Sequence, residues 1–516
     1  MGKRFTIFFL LVWHISSLYG QENFSSHLPI VIIQTDPDPS NGQPMSIVDE
    51  PKVGAWMKII YVNDQTTNHL SDSTNPTCLN YDGHIGIETR GSTSQFSEKK
   101  SYGLETRHAD GTNNNVSLMG LPKENDWVLN SIYSDPCYLR DCLTYTLGRR
   151  TGHYAPRTHY CEVFVNGDYR GLYMLTEKIK IDRHRVDIAK LAATDTVEPA
   201  VTGGYIFKAD RANQGEPMAW ATPSSLPDNY VIYILHDPKP SKAVPAQVHY
   251  IHSYFDRFQQ AVADGDTSLV GYPSMIDEES FVDYMIINEL ASNVDAYQLS
   301  TFFHKDRDGE LCAGPLWDFN FAYGNDFSDR SHHDQWQFAN GSNTGSPFWQ
   351  QLFNDPWFQR RLISRWKQLT AANHPLSFHN TKLLIDSIAN HIYPALVRER
   401  LRWNLDYDYD NHIFLMKDWL QKRYHWINLQ LTGDSIIFLE PAFYPNPTTG
   451  IINFAGQTGN IKKIQLFNIR GRMMAEYFID DEAHQIDLRH FPDGIYILQI
   501  VTDDDTFTKK IVKAKH

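Results

Sequence analysis

Two aspartates at the ends of one predicted β-hairpin constrain this chain more than any other feature. A strand-like run at 300–303 is followed by a charged turn at 305–309 and by a second strand through Leu311. An antiparallel hairpin returns the chain to its starting point. Asp295 and Asp318, 318 − 295 = 23 positions apart, are therefore predicted to lie close together.

An amide residue stands near each of these aspartates, Asn293 before Asp295 and Asn320 after Asp318. Asp and Asn are poor strand formers, so their place beside apolar strands needs a reason. One reason is local, because both residues form turns by bonding their own backbone. The other is chemical, because carboxylate and amide oxygens are ligands for Mg²⁺ or Mn²⁺. Residue types alone leave both interpretations open.

The composition is that of a folded protein with room for two or three domains. The chain has 516 residues, of which 41% are hydrophobic and 13% aromatic, and this excludes a disordered protein. Its formal charge of −14 argues against a general nucleic-acid binder, which usually carries a basic face. No nucleic-acid partner is therefore predicted.

The N-terminus has the pattern of a secretory signal peptide over residues 1–20. Lys3 and Arg4 precede an apolar run from Phe5 to Trp13, and small or polar residues follow as far as Gly20. The run is too short to span a bilayer, and no later stretch is long enough. The mature protein is expected to leave the cytosol and to have no transmembrane segment.

The pattern of strands and helices predicts an α+β fold. Strand-like runs dominate the first half, and Asn166-Gly167 marks one hairpin turn. Helical periodicity dominates beyond Gly324, and short strands return from residue 444. We predict an N-terminal β region at 21–80, a main domain at 81–432 with a helical C-terminal part, a linker at 433–443, and a small all-β sandwich module at 444–516.

A Gly/Ser turn between two strands precedes Lys99 and Lys100. Backbone N–H groups of such a turn, with a lysine on the next strand, suit an anion. An ordinary hairpin with solvated lysines fits the same residues. Farther along, Asp135 and Pro136 begin a predicted helix on which Arg140 and Asp141 face either an anion or solvent.

The last seventy or so residues resemble the type A sorting domain of the type IX secretion system of Bacteroidetes. Four motifs occur in order: YPNPTTG at 444–450, LFNIRGR at 466–472, IDLRHFPDGIYIL at 486–498 and KKIVK at 509–513. The resemblance implies secretion to the cell surface with the type IX machinery as a partner.

The body of the chain resembles the CotH kinase family. The matching motifs are TRGSTS at 89–94, KKSYGL at 99–104, VNGDYRGLYMLTEKI at 165–179, GGYIFKAD at 203–210, NELASNVDAY at 288–297 and PLWDFNFAYG at 315–324. The resemblance implies a divergent protein-kinase-like fold that uses ATP and Mg²⁺, or Mn²⁺, to phosphorylate Ser or Thr of extracytoplasmic proteins.

The resemblance also implies roles for the residues of the hairpin. Asp295 matches the catalytic-loop aspartate, and Asn293 is a candidate for orienting that loop. Asp318 matches the metal-binding aspartate. Asn320 stands where the family often has a second aspartate, so it would offer an amide oxygen to the metal in place of a carboxylate.

Four further residues are predicted to contact the nucleotide. Lys100 is the first candidate for the phosphate-binding lysine, with Arg90 and Lys208 as other cations. Glu177 resembles a hinge carboxylate beside the adenine. The alternative to a kinase is a non-catalytic surface or adhesion protein built on a kinase-like scaffold.

Overall fold

The computed structural model describes most of the chain, and the following concerns those residues only. They are 23–91, 93–212, 217–372, 374–434, 442–444, 446–455, 461–478, 485–502 and 506–514. The predicted signal peptide, and most of the predicted linker, lie outside this part. The chain divides into two compact units, Met1–Arg423 and Tyr424–His516.

The first unit begins with a closed barrel of seven strands. In spatial order these are β2 (Ile30–Thr35), β3 (Val53–Ile60), β5 (Leu79–Arg90), β6 (Ser101–Thr106), β7 (Asp126–Asn130), β9 (Asp168–Glu177) and β8 (Thr158–Val165). The parallel pairing of β2 with β8 closes the barrel, and all its other pairs are antiparallel. The predicted boundary between residues 80 and 81 falls inside β5, so strands on both sides of it share one barrel.

Alternating side chains fill the barrel, as period-two strands require. Its buried core includes Ile33, Met57, Trp127 and Leu175. Asn166-Gly167 makes the predicted hairpin turn between β8 and β9. Both turn residues have positive φ, 51° and 78°, which is the geometry that favours Asn-Gly.

A second sheet carries the hairpin that the sequence predicts. Its strands, in spatial order, are β11 (Trp220–Pro223), β12 (Tyr230–Asp237), β10 (Tyr205–Ala209), β13 (Thr301–Lys305) and β14 (Leu311–Ala313). β13 and β14 pair antiparallel, with Phe303 opposite Ala313. This sheet therefore places Asp295 before β13 and Asp318 after β14, near one end of the hairpin.

Seven α-helices are described. They are α1 (Arg140–Thr151), α2 (Pro245–Ala263), α3 (Glu278–Ala291), α4 (Phe348–Asn354), α5 (Pro356–Thr370), α6 (Phe378–Trp403) and α7 (Tyr409–Thr432). Among them, none combines the length and the apolar character that crossing a bilayer requires. Two-residue strands β1 (Ser25–Ser26) and β4 (Asn68–His69) pair with each other.

The second unit contains two antiparallel sheets. One consists of β15 (Ala442–Tyr444), β16 (Ile451–Ala455) and β19 (Gln485–Asp487); the other consists of β18 (Met473–Phe478), β17 (Ile461–Asn468), β20 (Gly494–Thr502) and β21 (Thr506–Lys513). Both sheets contribute to one apolar core, which includes Ile452, Ile486, Leu466 and Leu498. The chain as a whole therefore mixes helices with several sheets, as predicted.

Candidate functional site

Two loops that flank the hairpin lie side by side. The main-chain N–H of Val294 donates to the carbonyl oxygen of Phe321 at 3.2 Å, and the N–H of Tyr323 donates to that of Ala291 at 2.6 Å. These bonds join the segment that follows α3 to the segment that follows β14. Asp295 and Asp318 are thereby brought to one place, as the hairpin predicts.

Asn293 connects these loops through its side chain. Its Nδ2 donates to the carbonyl oxygen of Asp318 at 3.5 Å, and its Oδ1 accepts from the main-chain N–H of Asp295 at 3.2 Å. The Asn293 side chain is buried. The orienting role that the sequence suggests for Asn293 is therefore compatible with its contacts.

A buried ion pair stabilises the loop that carries Asp295. Arg423 in α7 lies 3.0 Å from the carboxylate of Glu289 in α3, and both side chains are almost fully buried. Glu289 also accepts from the hydroxyl of Tyr297 at 2.9 Å, just beyond Asp295. This network fixes the backbone on both sides of Asp295.

The charge of Asp318 affects the pKa of Asp295. Burial, together with the charge of Asp318, raises the pKa of Asp295 to about 7. Burial also raises the pKa of Asp318, an effect that the guanidinium of Arg90 opposes. Both residues are partly exposed to solvent. A carboxylate that titrates near neutral pH suits a general base.

Cations predicted from sequence lie beside Asp318. Arg90, at the end of β5, stacks over the ring of Trp317 with 5.5 Å between the guanidinium carbon and the ring centroid. Within the described residues, its guanidinium forms no hydrogen bond or ion pair, so its donors are available to a ligand. Lys208 also acts on Asp318, and its Nζ is paired with Asp210 at 2.7 Å.

The side chain of Asn320 has an amide oxygen that is free to bind a metal ion. Its Nδ2 donates to the hydroxyl of Ser134 at 2.9 Å, which points the oxygen the other way. That Oδ1 is buried and has no hydrogen-bond partner. An unpaired buried oxygen two residues after Asp318 is the kind of ligand that a hard divalent cation takes.

Two predicted nucleotide-binding residues are engaged elsewhere. Nζ of Lys100 donates to the carbonyl oxygen of Gln95 at 2.6 Å. Glu177 is fully buried in an ion pair with Arg157, at 2.8 Å. Neither appears among the groups that act on Asp295 or Asp318. Hydrogen bonds and electrostatic effects therefore connect Arg90, Lys208, Asn293, Asp295 and Asp318, and Asn320 follows Asp318 by two residues, whereas Lys100 and Glu177 are bonded elsewhere.

Helix α1 supplies contacts that the sequence did not predict. The carboxylate of Asp141 accepts from the main-chain N–H of Phe319 at 2.7 Å. The hydroxyl of Tyr145 accepts from the main-chain N–H of Asp318 at 3.1 Å. Burial, with a contribution from Asp318, raises the pKa of Asp141 to about 7. The prediction left Asp141 facing either an anion or solvent, whereas its side chain is buried against this loop.

Asp210 and Lys178 were also missed. Asp210 pairs with Lys208 and acts on both site aspartates. Burial lowers the pKa of Lys178, and the nearby positive charge of Arg90 adds to this effect. A signal did exist, because each residue directly follows an apolar strand inside a motif that resembles the family, but charged residues at strand ends are common on protein surfaces.

Comparison with protein families covers both units. The family model described as CotH kinase protein matches residues 87–427, and the model described as secretion system C-terminal sorting domain matches residues 442–514. No curated protein matches the chain. The sorting domain directs the protein to secretion and the cell surface and implies interaction with the secretion machinery. Since the first match spans more than half of the 516 residues, the chain belongs to the CotH kinase protein family.

Proposed function

We propose that this protein is an atypical kinase that transfers the terminal phosphoryl group of ATP to Ser or Thr of extracytoplasmic proteins. The proposal rests on one observation above all, the convergence of Asp295, Asp318 and Arg90. Phosphoryl transfer asks a protein chiefly for positioning and for neutralisation of charge, and these residue types supply both. The barrel and the mainly helical remainder of the first unit would serve as the two lobes of a divergent kinase-like fold.

Asp295 is the proposed general base. With a pKa raised to about 7, its carboxylate can accept the hydroxyl proton of the substrate Ser or Thr. The hydroxyl oxygen then forms a bond to the terminal phosphorus while the bond to the leaving ADP breaks. Asn293 keeps Asp295 and Asp318 in register through its two hydrogen bonds.

Asp318 and Asn320 are the proposed ligands of Mg²⁺ or Mn²⁺. When bound, such a cation neutralises negative charge on the phosphates of the nucleotide. Arg90 offers unpaired guanidinium donors, and Lys208 offers a second positive charge near the same place. Both suit phosphate oxygens.

The direct test is self-phosphorylation. The purified full chain is incubated with ATP labelled on its terminal phosphate, with Mn²⁺ or with chelator. We expect label on Ser or Thr only with Mn²⁺, and none in an Asp318→Ala variant. Label that appears equally in that variant would contradict the proposed site.

A non-catalytic surface or adhesion protein is the second candidate. It is favoured by Asn320, which supplies one negative charge fewer than an aspartate would. A thermal shift with ATP separates the two candidates, because a ligand that binds only the folded form raises the melting temperature. A kinase responds to ATP with Mn²⁺, whereas an adhesion protein that has lost its nucleotide site does not.

A further inference from the structure

One face of helix α1 lies along the entire loop that carries Asp318. Nε of Arg140 donates to the carbonyl oxygen of Ala322 at 2.9 Å, and the hydroxyls of Thr144 and Tyr323 lie 2.9 Å apart. Residues 140, 141, 144, 145 and 148 occupy one side of a helix. A Cβ at Gly148 would overlap Leu316, so the glycine permits this close approach.

Asp318 itself has an unusual backbone. Its φ is 64°, in the left-handed region that residues other than glycine rarely adopt. Such a conformation persists only when its surroundings fix it from several sides, and it recurs at functional sites. Two hydrogen bonds to α1 act here, because the N–H of Asp318 donates to the hydroxyl of Tyr145 and the N–H of Phe319 donates to the carboxylate of Asp141.

Asp141 is held in turn from outside the loop. Its Oδ1 accepts from Phe319, and its Oδ2 accepts from Nδ2 of Asn130, at the end of β7, at 3.1 Å. The carboxylate therefore links a barrel strand, helix α1 and the loop of Asp318. Its side chain is buried, so its orientation is fixed by these partners.

We propose that Asp141 is the positioning residue of Asp318, acting as a hydrogen-bond acceptor that fixes the peptide after Asp318 so that its carboxylate and the Asn320 oxygen face one cation. Tyr145 supports the peptide before Asp318 in the same way. This inference rests on the proposed function, because it assigns a purpose to the metal ligands named there. Partners of a metal ligand typically change metal affinity about 10- to 100-fold when they are removed.

Four variants of the full chain test this role: Asp141→Ala, Asp141→Asn, Tyr145→Phe and, as a control, Thr144→Val. The Thr144 hydroxyl belongs to the same helix face and is buried, but it contacts Tyr323 and not Asp318 or Phe319. The measurement is the midpoint of a Mn²⁺ titration at fixed ATP, followed by calorimetry at a temperature well below the melting temperature. This midpoint reports affinity separately from the stability of the metal-free protein.

We expect Asp141→Ala to raise the midpoint at least about tenfold and Tyr145→Phe to raise it less. Asp141→Asn should raise it less than Asp141→Ala does, because the amide oxygen can still accept from Phe319 although the amide NH2 group cannot accept from Asn130. Thr144→Val should lower the melting temperature without moving the midpoint.

Equal midpoints for wild type and Asp141→Ala would overturn the positioning role and leave the proposed function standing. Equal losses in Asp141→Ala and Asp141→Asn would overturn it as well, because the hydrogen bond from Phe319, which Asp141→Asn retains, would then contribute nothing to metal binding. A wild type that shows no Mn²⁺ binding in this titration would instead remove the proposed metal site, and this inference with it.

Discussion

The side-chain amide of Asn293 reaches the main-chain carbonyl of Asp318, 3.5 Å away, while its oxygen accepts from the backbone of Asp295. One buried residue thus contacts both segments that carry the site aspartates. The distance between those aspartates is set by this bridge together with the main-chain bonds between the loops. These bonds use backbone atoms of Asp295 and Asp318, so a change to one aspartate side chain leaves them in place, and each carboxylate can be tested separately.

Asp295→Asn is expected to lose phosphoryl transfer and to retain nucleotide binding. Asparagine preserves the size of the side chain but cannot accept the hydroxyl proton, and a general base contributes about 10²- to 10⁴-fold to a rate. Transfer is measured with labelled ATP and Mn²⁺, and ATP binding by calorimetry. The exposed Asp187, changed to Asn, serves as the control. Full transfer by Asp295→Asn would refute the role of base.

Asn320→Asp is expected to strengthen Mn²⁺ binding by about tenfold, because it adds a negative charge to the ligand set. The buried oxygen at this position has no competing partner, so the substitution changes charge with little change in shape. Mn²⁺ affinity is measured by calorimetry with ATP present.

The control for this variant is Asn325→Asp. Asn325 lies in the same loop, and its Nδ2 donates to carbonyl oxygens of Asn320 and Ser134. Asn325→Asp should destabilise the loop and should not increase the affinity for Mn²⁺ above that of the wild type. If Asn320→Asp bound Mn²⁺ no better than the wild type, Asn320 would not be a ligand.

The hairpin was predictable because its signal is local. The charged turn at 305–309 and the apolar runs around it determine that the chain returns, and the return brings Asp295 to Asp318. The start of α1 was predicted four residues too early. The carboxylate of Asp135 caps a turn by accepting from the N–H groups of Cys137, Leu139 and Arg140, so the helix begins only at Arg140.

The partners of Asp141 and the choice between adjacent lysines were not predictable. Asp141 meets Phe319 across 178 positions of sequence, and no local pattern encodes that contact. Lys99 and Lys100 precede the same strand, and only the register decides which one points inward. The structure buries Lys99 and leaves Lys100 partly exposed.

The stability of the metal-free protein should depend on Asp295 and on pH. The folded state raises the pKa of this carboxyl from an ordinary 3.8 to about 7, so between these values the folded protein binds more protons than the unfolded chain. The proton on Asp295 therefore stabilises the folded state. This stabilisation is complete below the pKa of 3.8 and is lost as pH rises through the pKa of about 7. Asp295→Asn resembles the protonated form at every pH.

We therefore expect the free energy of unfolding of Asp295→Asn, in chelator at pH 8, to exceed that of the wild type. The expected difference is on the order of 1–2 kcal/mol after screening by solvent. The difference should shrink towards pH 5. Denaturant unfolding at both pH values measures it. A difference that does not depend on pH would mean that the carboxyl of Asp295 titrates normally.

Arg90→Gln should weaken ATP binding, whereas Lys100→Gln should leave it nearly unchanged. Arg90 acts on Asp318 and has unpaired donors, but the described contact of Lys100 is with Gln95. Loss of a hydrogen bond to a charged group costs about 1.5–3 kcal/mol, which corresponds to roughly a 10- to 100-fold loss of affinity. Calorimetry with Mn²⁺ and ATP measures both variants. A larger loss for Lys100→Gln would restore the assignment based on sequence.

A buried ion pair joins the barrel to the helical part of the first unit. Nζ of Lys99 lies 2.6 Å from the carboxylate of Glu399 in α6, and neither side chain is exposed. Glu399 also accepts from the main-chain N–H of Leu172 at 2.8 Å and from the hydroxyl of Tyr138 at 3.2 Å. Glu399 thus accepts from groups of three different segments, and Nζ of Lys99 also donates to the carbonyl oxygen of Leu172.

Glu399→Gln is expected to lower the free energy of unfolding of the first unit by about 3–5 kcal/mol, because it leaves the charge of Lys99 buried without a counter-charge. Combining it with Lys99→Met should recover most of that loss, since glutamine can still accept from Leu172 and no charge remains. Asp418→Asn breaks the exposed Asp418–Lys422 pair and should cost less than about 1 kcal/mol. Denaturant unfolding compares the four proteins. If the double variant were as unstable as Glu399→Gln, the loss would come from packing and not from the unpaired ammonium group.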